Sequence, residues 1–119
     1  MVLLIYNFTY RLSGNRDIAE TLSEKVLLMQ SANHHHNDVI LLKQAWEEFL
    51  MYYGRFDFKG EDVVQQAVLS LPPEPRCAII LRDIFSYSYG QIASVLNKSE
   101  ITVGNLISLA RQEIIKKTR

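Results

Sequence analysis

A chain of 119 residues, 48% hydrophobic and 22% charged, is long enough for one modest core and too apolar to stay disordered. Its formal net charge of zero argues against indiscriminate binding to polyanions, and one cysteine, Cys77, excludes an internal disulfide. No apolar run approaches the ~20 residues of a membrane span, and the apolar start at Met1 lacks the basic flank of a leader, so a reducing cytoplasm and no membrane partner are expected.

Apolar spacing of three and four runs through the chain while strand alternation is nearly absent, which predicts an all-α fold. Leu4, Phe8 and Leu12 mark a first helix, closed by the turn cluster Ser13, Gly14 and Asn15, with Asn15 as the cap of the next. Ile18, Leu22, Val26 and Met29 share one face of a second helix that reaches about Ser31. After a polar break at residues 33–37, Asp38 is expected to cap a third helix with Val39, Leu42, Trp46, Phe49 and Tyr53 as its buried stripe; Gly54 stops it. Residues 55–60 form a short connection. The reading is therefore two small helical clusters, residues 1–54 and 63–119, joined by a linker at residues 55–62.

In the second cluster, Val64, Ala67, Val68 and Leu71 predict a fourth helix that ends before Pro72 and Pro73, because a residue preceding proline avoids the α region. Ala78, Ile79, Leu81 and Ile84 belong to a fifth. Ser88 and Gln91 have the spacing of a capping box, opening a short sixth helix that ends near Asn97. Ser99 then caps a seventh, whose stripe of Val103, Ile107, Ala110 and Ile114 continues toward the C-terminus. A short helix, a tight turn and a long amphipathic helix make the pattern of a helix-turn-helix, and the same spacing equally fits a helical hairpin that only packs.

Charge is unevenly placed. Residues 1–71 carry six Lys and Arg against nine Asp and Glu, whereas residues 72–119 carry seven against four. Lys116, Lys117 and Arg119 account for that basic excess, which suits a phosphate partner and, with equal weight, the dipole of their own helix.

The particular residues narrow the choice. Leu71, Pro72, Arg76, Ile79, Ile80, Leu81, Arg82, Asp83, Ile84, Ser88, Tyr89, Gln91, Ile92, Ala93, Leu96, Ser99, Thr102 and Val103 together resemble the fourth conserved domain of bacterial sigma factors, nearest to the small extracytoplasmic-function group. Upstream, Tyr10 to Asn15, Ala19, Glu20, Leu22 and Val26 look like the start of the family's second domain. The resemblance implies a transcription initiation factor whose residues 1–54 dock on core RNA polymerase through Glu20, Leu22, Glu24 and Val26. It further implies that residues 63–119 read promoter DNA through Lys98, Ser99, Thr102, Asn105, Ser108, Arg111 and Arg76. Asn105 has the chemistry to pair with adenine, Thr102 to meet a thymine methyl, and Ser99 to hold a phosphate at a helix N-terminus. Ser99 and Thr102 also read as plain capping residues.

Departures from the family pattern point to a second function class. Thr21, Glu24 and Lys25 stand where an acid, a glutamine and a glutamate are usual, and Glu47 and Glu48 follow Trp46 where strand melting calls for cations. The expected recognition helix has only Arg111 among its early and middle cations, and Gly104 costs it ~1 kcal/mol relative to alanine. The rival is a sigma-fold interaction module that binds polymerase, a second sigma-like subunit or an anti-sigma protein without reading DNA. His34, His35 and His36 are adjacent and lack further ligands at zinc spacing, so no metal is expected. Cys77 reads as a small buried group, and no catalytic constellation, cofactor motif or small-molecule substrate site is legible.

Overall fold

Seven α-helices and one π-helical turn, with no strand, make up the described residues 2–31, 37–53 and 63–118 of the computed structural model. They are α1 (Val2–Ser13), α2 (Arg16–Ser31), α3 (Asp38–Tyr52), α4 (Val63–Leu69), α5 (Pro73–Ile79), the π-turn (Ile80–Ile84), α6 (Tyr89–Leu96) and α7 (Glu100–Thr118). The three histidines and the expected connection at residues 55–60 lie outside the described residues.

Local chemistry sets most boundaries. Gly14 turns the chain at φ 66°, and Asn15 caps α2 by accepting from the Ile18 amide at 3.0 Å. For α3 the cap is Asn37 and not Asp38, since Asn37 Oδ1 accepts from the Ile40 amide at 2.9 Å. Asp38 is instead the first helical residue, where its charge meets the positive end of the dipole. Pro73 opens α5 at a position whose amide has no helical acceptor to lose. Beyond Ile79 the helix widens into the π-turn, closed by Phe85 N–H donating to Ile80 O at 3.2 Å.

The two expected helical clusters share a single core. One continuous buried cluster runs from Phe8, Leu12 and Leu22 through Leu42, Trp46 and Phe49 to Ile80, Ile92, Val103 and Ile107. A Cα radius of gyration of 13.7 Å agrees with the roughly 13.5 Å expected of 119 residues folded as one body. Where α1 meets α2, Thr9 and Ser23 are buried; their hydroxyls donate to Ile5 O at 2.8 Å and Ala19 O at 2.6 Å, so small polar groups are satisfied within each helix. Met29 and Ile84, expected inside, are 43% and 40% exposed.

Arg76 fastens the two halves. It is 2% exposed, with Nη1 donating to Leu12 O at 2.8 Å and Nη2 to Leu69 O at 2.5 Å and Leu71 O at 2.9 Å. The Leu12 carbonyl sits in the last turn of α1, where backbone acceptors lack helical partners and the dipole is negative. Its guanidinium carbon lies 5.9 Å from the Phe49 ring centroid and 5.4 Å from that of Tyr53, and burial lowers its pKa. This corrects the expectation that Arg76 meets DNA: a guanidinium enclosed by three carbonyls and two rings has no phosphate within reach.

Candidate nucleic-acid interface

Ser88 and Gln91 build the entry to α6 reciprocally: the Gln91 amide donates to Ser88 Oγ at 3.1 Å and the Ser88 amide to Gln91 Oε1 at 2.9 Å. At the exit Asn97 adopts the left-handed region, φ 55°, and Lys98 N–H reaches back to Ala93 O at 3.0 Å. Ser99 caps α7 through its Oγ, which accepts from the Thr102 amide at 3.1 Å and donates to Thr102 Oγ1 at 2.9 Å. Ile92, Val95 and Leu96 of α6 and Val103, Ile107 and Ala110 of α7 are all buried in the shared core, where the two helices pack together. The result is a helix-turn-helix with α7 as the long second helix. Arg82 supports it from the π-turn, donating to Tyr87 O at 3.0 Å and covering the Tyr89 ring at 5.1 Å.

The outward stripe of α7 is uncharged. Ile101, Asn105, Ser108 and Gln112 follow one another at helical spacing and all are exposed, Ile101 by 80%. Asn105 and Ser108 therefore stand where a second helix would present side chains to base edges. The remaining expected DNA contacts are already engaged. Lys98 pairs with Glu74 at 3.5 Å, and Arg111 forms a two-pronged pair with Asp83, Nη2 to Oδ1 at 2.6 Å and Nε to Oδ2 at 3.1 Å. Asp83 raises the Arg111 pKa through that hydrogen bonding and its charge. Farther along, Lys116 meets Glu113 at 3.5 Å. Glu74 and Asp83 were not legible as part of this surface, because their partners lie many positions away and no linear spacing connects them. Gly104 has room for a side chain: a Cβ there would meet only Tyr89, at an ordinary 3.5 Å.

On α2 the four expected polymerase contacts divide. Glu20 and Glu24 are exposed, whereas Leu22 and Val26 are 0% exposed in the core. That corrects the assignment of the two apolar residues, since a side chain enclosed on all sides holds the fold and has no surface to offer a partner. The more exposed of the helix's two exposed large apolar groups is Leu28, at 71% against 43% for Met29, while Lys25 bridges to Glu48 at 2.8 Å. Among the described residues, no group of three or more His, Cys, Asp or Glu is placed to hold a metal ion, and no helix is long and apolar enough to cross a membrane. Cys77 is fully enclosed, and burial pushes its thiol pKa well up.

Residues 61–114 match the family described as Sigma-70, region 4. The structure is similar to that of the sigma factor RpoE from Bartonella quintana, solved in complex with the anti-sigma factor NepR, with a TM-score of 0.84 and 21% identity over 98% of this chain and 91% of that one. It is also similar to the extracytoplasmic function sigma factor SigJ of Mycobacterium tuberculosis, with a TM-score of 0.70 and 21% identity over 95% of this chain and 50% of that one. The chain thus spans about half of SigJ's length. Comparison with the curated proteins finds no match.

Proposed function

We propose, from the match of residues 61–114 to the sigma-70 region 4 family and the likeness of the fold to two sigma factors, that the chain is a sigma-like transcription initiation factor of the extracytoplasmic-function type. Its partners are core RNA polymerase, engaged by the outer face of α2 around Glu20, Glu24 and Leu28, and promoter DNA, met by α7. It acts by binding and not by catalysis, in the cytoplasm where polymerase works. The observation that carries the reading is the helix-turn-helix itself: within a region 4 unit, α7 holds Asn105 and Ser108 outward on a stripe that no other described element covers. Asn105 supplies the bidentate adenine contact, and Ser108 an adaptable hydrogen bond. With Lys98, Arg111 and Lys116 paired to the chain's own acids, non-specific phosphate attraction is small, so polymerase supplies most of the affinity. Co-purification with core polymerase, followed by anisotropy of a promoter duplex on the same complex, tests both contacts; capture of polymerase without any duplex preference rejects the DNA role.

A second reading is favoured by the apolar groups exposed elsewhere along α7 as well as on that stripe. Ile101, Leu109 and Ile115 are 80%, 54% and 51% exposed on α7, an apolar content suited to a protein partner. In that reading the chain keeps the sigma fold as an interaction module for an anti-sigma protein or a second sigma-like subunit. RpoE of Bartonella quintana, the structural relative, was solved with such an anti-sigma factor. Retention of an anti-sigma protein by the chain, lost in Ile101→Asp and unaffected by Asn105→Ala, separates this reading from the first.

A further inference from the structure

A groove of about 640 Å³ opens between α1, the start of α2, α4 and the end of the π-turn, within the size range of small-molecule sites. Tyr6 and Tyr10, one helical turn apart on α1, stack along it with centroids 6.3 Å apart and planes 11° apart. The stacked pair offers an aromatic platform to the groove. Arg11 beside them and Arg16 at the first position of α2 add two guanidinium groups to the lining against one carboxylate, that of Glu20, which leaves the groove a net positive charge. Neither pairs with a carboxylate among the described residues, in contrast to Lys25, Lys98, Arg111 and Lys116.

Arg11 is also aimed. Its Nη1 donates to Gln65 Oε1 at 3.2 Å, and Gln65, only 3% exposed, donates its Nε2 back to the Arg11 carbonyl at 3.0 Å. A buried amide from α4 thus uses both of its functions to hold one arginine, leaving that guanidinium's other donors for an acceptor in the groove. Asn7 adds a neutral amide to the same wall.

We propose that this groove binds a nucleotide, with the base against the Tyr6–Tyr10 platform, the phosphate on Arg11 and Arg16, and a base edge at Asn7. Aromatic faces accept any base, and guanidinium groups match phosphate oxygens in pairs. The nucleotide is a ligand and not a substrate, and it arrives either free or as one unit of a single strand. The site is separate from the outward stripe of α7, so it stands or falls independently of promoter reading.

Calorimetric titration of the full chain with ATP, a twelve-residue oligothymidylate, an abasic strand of the same length and inorganic triphosphate tests it. ATP, the oligothymidylate or both should bind about tenfold more tightly than their base-free counterparts, the loss expected when one stacking contact is missing. Binding of ATP alone assigns a free nucleotide, and binding of the strand alone assigns a single-stranded nucleic acid. Arg16→Gln, on an exposed position, and Tyr6→Leu should each weaken binding about tenfold, while Lys117→Gln, which removes an equal charge from α7, should not. The absence of saturable binding to any probe at millimolar concentration overturns the proposal. Equal affinity for the base-free probes, or an affinity unaltered in both variants with parental circular dichroism, overturns it as well.

Discussion

Arg76 is where position in sequence and role in space part most sharply. In sequence it is one more cation in a basic half, inside a stretch that resembles a DNA-binding domain; its partner Leu12 lies 64 residues away, beyond any local spacing. Removing the guanidinium leaves three carbonyls without that donor inside the protein. Arg76→Leu should therefore lower stability by about 3 kcal/mol or more in urea unfolding. Arg76→Lys should recover only part of it, because an ammonium cannot reproduce the planar fork; a parental midpoint in both variants contradicts the fastening role. Gly104 is the opposite case. A Cβ there meets Tyr89 only at an ordinary contact distance and its φ is not positive, so Gly104→Ala should raise stability by about 0.5 to 1 kcal/mol in thermal or denaturant unfolding.

Among the elements, α6 was the most legible. Its capping box and its left-handed exit are built from neighbours in sequence, and the expected bounds match the observed Tyr89–Leu96. The face of α2 was half legible. The stripe of Ile18, Leu22 and Val26 is apolar because it packs in the core, and periodicity alone cannot say which face is left for a partner. Leu22→Asp should unfold the chain, whereas Leu28→Asp should keep the parental circular dichroism and weaken capture of core polymerase; normal capture by a folded Leu28→Asp chain contradicts the docking face. On α7 the self-pairing of cations was not legible, since Asp83 and Arg111 are 28 residues apart. Their pair is exposed and worth no more than about 1 kcal/mol, so DNA can compete for the arginine. Asp83→Asn should free it, raising duplex affinity and steepening the slope of log affinity against log salt by about 0.9. No change in that slope would show that Arg111 meets no phosphate.

At the scale of the whole molecule, the sequence predicted helices in two groups, and folding merged the groups around one core. The merger rests on contacts between residues that no spacing links: Arg76 to α1, Gln65 to Arg11, and Tyr87 Oη donating to Asp38 Oδ2 at 3.3 Å. The Tyr87 phenol is pushed up to about 12, first by burial and then by the charge and hydrogen bond of Asp38. The fold therefore favours the neutral phenol. Its contribution is complete below the unfolded value near 10 and is lost as pH rises through about 12. Denaturant midpoints across that window should fall more steeply for the parent than for Tyr87→Phe; parallel curves contradict the tie between α3 and the segment before α6.

The central claim, that this sigma-fold chain reads promoter DNA through α7 once polymerase holds it, is tested most directly by anisotropy of promoter and scrambled duplexes with the chain bound to core polymerase over a salt series. The account predicts tighter binding of the promoter duplex, a shallow salt slope, and loss of the preference in Asn105→Ala at a cost of about 1 to 3 kcal/mol. Equal binding of the two duplexes by the parent complex, or a preference that survives Asn105→Ala unchanged, contradicts it.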